Sequence, residues 1–160
     1  MGCKSTKSIF YLTLIIGLSF FSLFLPADEV KTGLLQVRVT GIKYSQGGNL
    51  IFALYNGKDN WLKKDKVYMS KASEVEEDGL SVSFIDVSYG DSYALFVFHD
   101  KNDNEKLDFR KFPFPKPREG VGVSNNNLRM GPPEYGKASF SVSGDKKILE
   151  IKMHYAKLFF

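Results

Sequence analysis

YALFVFHDKNDNEKLD, residues 93–108, contains the transition from which the fold is read. Its first six residues, Tyr93, Ala94, Leu95, Phe96, Val97 and Phe98, offer no charged group on either face. An extended segment of that kind belongs inside a packed core, with strand neighbours on both edges and apolar cover on both sides. It runs directly into His99, Asp100 and a polar loop.

Working back from this strand, Leu80, Val82 and Phe84 alternate with Ser81 and Ser83, and Asp78 with Gly79 predicts a hairpin turn before them. Residues 67–75 read as an edge strand, and residues 61–66 as a loop or a single helical turn. Residues 50–55, LIFALY, repeat the continuous apolar pattern and predict a second central strand behind the turn at Gly47 and Gly48. Leu35, Val37 and Val39 alternate with Gln36, Arg38 and Thr40, which predicts a strand with one buried face.

Toward the C-terminus, residues 100–135 carry Pro113, Pro115, Pro117, Gly120, Gly122, Asn125, Asn126, Asn127, Gly131, Pro132 and Pro133, and no regular element is expected there. Two strands come after it: Ala138, Phe140 and Val142, then Leu149, Ile151, Met153 and Tyr155 alternating with Glu150, Lys152 and His154. The expected core is Val37, Val39, Phe52, Leu54, Val82, Phe84, Leu95, Val97, Phe140, Ile151 and Met153. The pattern predicts an all-β chain, a single antiparallel β-sandwich of about seven strands with one long polar loop. A membrane barrel, which the terminal Phe160 would suit, needs an even number of roughly ten-residue strands and leaves no room for that loop.

The first residues are a targeting segment. Lys4 and Lys7 precede an uncharged run over residues 8–25, and Leu25, Pro26 and Ala27 lead to Asp28 and Glu29. That is the layout of a secretory signal peptide over residues 1–27, with the β-sandwich domain over 28–160. The competing reading is an uncleaved anchor, since residues 9–25 are near the minimum for one helix crossing a bilayer. Met1, Gly2, Cys3 and Thr6 fit a loose myristoylation pattern, and Cys3 stands before the apolar run, where a bacterial lipoprotein cysteine would stand after it. Cys3 is the only cysteine, so after cleavage there is no disulfide and no thiolate chemistry. The product is expected in the periplasm, on the outer surface or in the medium, with no membrane insertion after cleavage. The formal charge of +4 comes from 22 basic and 18 acidic residues that look interspersed, which argues against a nucleic-acid partner.

HDKNDNEKLD (residues 99–108), PREGVGVSNN (117–126), GPPEY (131–135) and the strand bearing Ala138, Phe140 and Val142, taken in that order, resemble an exported bacterial family known as domain of unknown function 2141. The resemblance covers about residues 33–155. It implies a transthyretin-like, or prealbumin-like, sandwich and no assigned activity. The chain departs from the family pattern at Glu105, where a glycine is usual, and in its proline-rich residues 112–117.

Asp100, Asn102, Asn104 and Asp108 place oxygen donors at relative positions 1, 3, 5 and 9 of the loop, with the Lys106 carbonyl at position 7. Calcium loops use that spacing, and Glu119 or water would complete a Ca²⁺ shell. Glu105 replaces the turn glycine, Lys111 stands where a bidentate Glu would close an EF-hand, and flanking helices are absent from the pattern. The competing reading is that Asp and Asn are present as turn formers.

No catalytic constellation is expected. His99 and His154 are the only histidines, and the chain ends in Lys157, Leu158, Phe159 and Phe160. A hydrolase is known on a transthyretin-like scaffold, so a small hydrolase is the alternative to a non-enzymatic binding or structural module of the cell envelope, but that enzyme uses His and Arg residues and a YRGS-type tail that this sequence does not show. For the module, Trp61, Tyr44, Tyr68 and Tyr135 are the aromatic candidates for contacting a glycan or a neighbouring envelope protein.

Overall fold

In the computed structural model, residues 30–111, 115–129 and 131–155 are described. The segment read as a signal peptide, residues 112–114 and the terminal Phe160 lie outside them. Ten strands are present among the described residues: β1 (Thr32–Thr40), β2 (Asn49–Asn56), β3 (Met69–Glu74), β4 (Ser81–Ser88), β5 (Ser92–Asp100), β6 (Phe109–Arg110), β7 (Lys116–Pro117), β8 (Val121–Val123), β9 (Phe140–Ser141) and β10 (Lys146–Lys152). One sheet has the order β10-β1-β4 and the other β3-β2-β5-β8, with β9 also pairing β5; β6 and β7 pair only with each other.

The two larger sheets face one another across the core, as the alternation requires. Leu35, Val37 and Val39 of β1, Phe84 and Val87 of β4 and Ile151 of β10 meet Leu50, Phe52 and Leu54 of β2 and Tyr93, Leu95 and Val97 of β5 in one cluster. The even-numbered side of β5 is covered too: Ala94, Val123 and Ala138 form a second cluster with Trp61, Leu128 and Tyr135 packed against it. That double cover is why residues 93–98 tolerate no polar side chain. Of the expected core, Val82 and Phe140 are only partly buried, and the rest is buried.

Three expectations need correction. Asp78 and Gly79 do not close a hairpin: β3 pairs β2 whereas β4 pairs β1, so the turn carries the chain from one sheet to the other. β10 runs parallel to β1, with Leu34 opposite Lys146 and Thr40 opposite Lys152, while the other pairs are antiparallel. The segment read as free of regular structure contains β8, which pairs β5 through Val123–Phe96 and Val121–Phe98. Gly122 does not break this strand. A Cβ there would meet Ile151 Cγ2 at 2.7 Å, so the glycine lets β10 pack close. Beyond the predicted alternation of residues 80–84, β4 carries a bulge, where Gly33 and Leu35 oppose Val87 and Phe84, Asp86 takes φ 58°, and Ile85 is turned out to solvent.

One side of the sandwich is sealed by polar contacts. Val121 and His154 exchange backbone hydrogen bonds, and the Asn126 side chain donates to the Glu150 carbonyl (2.9 Å) and accepts from the Lys152 N–H (2.7 Å) as another strand would. The opposite side, between β3 and β4, stays open. Lys71 points inward there over the Phe84 ring, 5.8 Å from its centroid, which with the bulge discourages edge-to-edge pairing. No helix among the described residues is long and apolar enough to cross a membrane.

Candidate functional site

The polar loop grows from the end of β5, where His99 faces the core and Asp100 the other way, and both are fully buried. The loop closes tightly against the turn before β2. A Cβ on Gly48, which has φ 83°, would strike the Asp100 carbonyl oxygen, so only glycine fits there.

Asp100 is the loop's inner anchor. Its Oδ1 accepts the Asn104 N–H (3.2 Å) and its Oδ2 the Glu105 N–H (2.7 Å). Glu119, 2% exposed, is the second anchor: its two oxygens accept the N–H groups of Lys101 and Asp108, both at 3.1 Å. Buried carboxylates are tolerable when such charge-assisted bonds replace water. Asp103 and Glu105 adopt left-handed φ of 56° and 55°. Glu105 thus keeps the conformation for which a glycine is usual, which orients its N–H toward Asp100.

Of the six residues expected to bind an ion, the structure gathers Asn102, Asn104 and Asp108 most closely. Asn102 Nδ2 donates to Asp108 Oδ2 at 3.0 Å, and Asn104 Nδ2 donates to the same oxygen at 3.4 Å. Asn104 Oδ1 accepts the Lys106 N–H (2.8 Å). Among the described residues no group of three or more His, Cys, Asp or Glu side chains is placed to hold a metal ion. An ion here would depend on amide and carbonyl oxygens, with the two amides turned over.

Asp108 and its neighbours also support a short ribbon at the outer end of the loop. The Arg118 N–H donates to the Asp108 carbonyl (2.8 Å), and Phe109–Pro117 and Arg110–Lys116 then pair as β6 and β7.

Nothing in the residue pattern marks the node around His99. Its Nε2 lies 2.6 Å from the Gly47 carbonyl and its Nδ1 2.8 Å from the Tyr155 hydroxyl. A carbonyl can only accept, so Nε2 carries a proton; the Tyr155 hydroxyl bonds Nδ1, donating to it in the neutral imidazole, and accepts the Lys43 N–H at 3.0 Å. Burial pushes the Tyr155 phenol above its ordinary value; the Lys43 bond opposes this and nearby Asp78 adds to it. Its ring lies on Gly120, leaving no room for a Cβ. Three segments are thereby pinned by one histidine. His154 lies exposed, as its place on the polar side of the last strand implies.

The aromatic candidates divide into two pairs. Trp61 is packed edge-on against Tyr55 (5.3 Å), Tyr135 (6.0 Å) and Phe96 (6.5 Å), and its Nε1 donates to the Pro133 carbonyl at 2.7 Å. Tyr135 donates to the Ser92 carbonyl at 2.5 Å. Tyr44 and Tyr68 remain exposed. Ser124, also missed, is fully buried and ties Leu95 N–H (3.0 Å) to the Ala138 carbonyl (2.6 Å). An open cleft of about 460 Å³ near Glu74, Glu76 and Glu77 sits at the mouth between the two sheets.

These features define an all-β sandwich with one carboxylate-anchored loop at the end of its central strand. Residues 37–150 match the model of a family described as an uncharacterized protein conserved in bacteria, DUF2141, and the chain belongs to that family. No curated protein and no solved structure matches it.

Proposed function

We propose that the chain is an exported, non-enzymatic module of the cell envelope that works by binding, with residues 100–119 as its working end. The observation that carries this reading is how the buried polar groups are used. His99, Asp100, Glu119 and Ser124 are the buried polar side chains among the described residues, and each is committed to backbone groups or, for His99, also to Tyr155. Among the described residues no buried side-chain polar atom lacks a partner. Such groups position a loop, whereas a nucleophile or general base needs a lone pair free to face substrate. Export is supported by the basic, then apolar, then small-residue order of residues 1–27. Mass spectrometry of the protein from the envelope and the medium tests cleavage: the expected N-terminus is Asp28, and an intact Met1 or Gly2 with membrane retention makes the segment an uncleaved anchor; recovery of the protein only from the cytoplasm refutes export.

A second reading, Ca²⁺ in the same loop, is favoured by the convergence of Asn102 and Asn104 on Asp108. Calorimetric titration with calcium of the native domain and of Asp100→Ala/Asp108→Ala decides it. Binding by the native domain alone supports the ion; no heat and no gain in Tm for the native domain reduces the cluster to a turn.

A further inference from the structure

β10 is an edge strand, and part of its outer edge is unpaired. Leu34 N–H donates to the Asp145 carbonyl (2.9 Å) and Met153 N–H to the Thr40 carbonyl (2.8 Å). Along this unbroken parallel register the odd-numbered residues of β10 therefore turn their N–H and C=O toward β1, and the even-numbered ones turn theirs outward. Asn126 occupies the outward Glu150 carbonyl and Lys152 N–H. The outward groups of Lys146 and Ile148, and the Glu150 N–H, have no hydrogen-bond partner among the described residues. On the outer face of the same stretch Ile148 is 55% exposed, with exposed Lys146 and Glu150 on either side of it. Neither Lys146 nor Glu150 has an ion-pair partner among the described residues.

From this edge we propose that the protein forms a two-fold dimer, in which β10 pairs antiparallel with β10 of a second copy and joins the two β10-β1-β4 sheets into one. A two-fold contact sets a surface against itself, so a strand must be complementary to its own reverse. Centred on Ile148, β10 is: Lys146 stands opposite Glu150 of the second copy, Glu150 opposite its Lys146, and Ile148 opposite its Ile148. Opposite charges and apolar pairs placed this way stabilise a sheet. Moving the centre by one residue sets Lys146 against Lys152 in one direction and against Ile148 in the other. In the chosen register the two Ile148 residues exchange backbone bonds, and each Glu150 N–H donates to the other copy's Lys146 carbonyl. The strand begins at Lys146, after the turn at Gly144 with φ 76°, so the second copy ends short of Asn126. A lysine that blunts an edge repels its own copy, whereas Lys146 here meets a carboxylate. The other charges on this stretch fit as well. Arg38 lies opposite Glu150 on β1, which puts that carboxylate between two cations. Lys147, on the sheet's other face, stands opposite Leu149 of the second copy and diagonal to that copy's Lys147, its stem laid on apolar surface and its charge in water. Growth stops at two, because β4 at the far edge carries the bulge at Asp86.

Both sheets and their core lie within residues 30–155, so the chain beginning at Asp28 is the protein to test. Analytical ultracentrifugation from about 1 µM to about 1 mM covers dimers down to millimolar affinity. The expected result is a concentration-dependent rise from the monomer mass to twice that mass and no further. Lys146→Glu alone and Glu150→Lys alone each set two like-charged pairs across the axis, and each should weaken the dimer by about tenfold or more. Mixed in equal amounts, these two variants are complementary to one another at both pairs, so the mixture should recover a dimer. Melting curves accompany every variant, and Ile148→Arg, which sets two cations face to face on the axis, replaces the charge swaps if either of them unfolds. A native chain that stays monomeric overturns the proposal and leaves the edge to a strand of another protein. A dimer indifferent to the single swaps, or to Ile148→Arg, overturns it too, as does a mixture of folded variants that stays monomeric.

Discussion

Replacing Glu119 should unfasten the loop from the sandwich. The carboxylate is 2% exposed and holds the N–H groups of Lys101 and Asp108, one at each end of the loop, at 3.1 Å. A hydrogen bond to a charged group contributes about 1.5–3 kcal/mol, and a buried donor left unpaired costs about 1–3 kcal/mol. Glu119→Ala removes both acceptors, so the expected loss is about 3–5 kcal/mol, tempered where water enters the vacated space. Glu119→Gln keeps one acceptor oxygen but sets an amide NH₂ against the other backbone N–H, for an expected loss of about 2 kcal/mol. Both are large fractions of a domain stability of about 5–15 kcal/mol. Urea unfolding followed by the fluorescence of Trp61, the single tryptophan, reads the difference, provided the m-value is unchanged. A loss below about 0.5 kcal/mol for both variants would be ordinary surface behaviour and would refute the role of Glu119 as an anchor.

Leu95→Ala, at a fully buried site between the sheets, should cost about 2–5 kcal/mol in the same urea assay, and a loss under about 0.5 kcal/mol would contradict the placement of β5. Glu105→Gly should stabilise by up to about 1 kcal/mol, because residue 105 sits at φ 55° and a left-handed residue with a Cβ costs about 1–2 kcal/mol, partly offset by glycine's greater freedom when unfolded; a destabilised variant would show that the Glu105 side chain contributes more than its strain. Burial raises the phenol pKa of Tyr55, Tyr93 and Tyr155, with Tyr68 and Asp91 adding to the rise at Tyr93. The folded state therefore holds these protons more tightly than the unfolded one. Its stability from them is fully present below about pH 10, the ordinary phenol value, and is lost as pH climbs through the raised values. Absorbance of phenolate during an alkaline titration should show these three ionising together with unfolding; their complete ionisation in a folded protein would refute the burial.

Alternation made the one-sided strands legible and unbroken apolar runs made the central ones legible: Val37 and Ile151, and Phe52 and Leu95, are all buried where these patterns put them. What alternation does not encode is the partner. The turn at Gly79 is real, with φ 97°, but whether the next strand joins the same sheet or crosses to the other depends on contacts far away in sequence. The parallel pairing of β1 with β10 is of the same kind. β8 was hidden for a different reason. Gly120 and Gly122 read as breakers, yet their missing side chains are where Tyr155 and Ile151 pack. A glycine required by a neighbour and a glycine required by a turn look alike until the neighbour is known.

The loop was legible as a cluster of oxygen donors, but its use was not. Spacing alone suits an ion, and spacing alone also suits backbone amides, since both seek the same carboxylate oxygens. In this fold Asp100 and Glu119 meet N–H groups, and the choice comes from burial: enclosed with amides pointing at them, they keep their charge without a counter-ion.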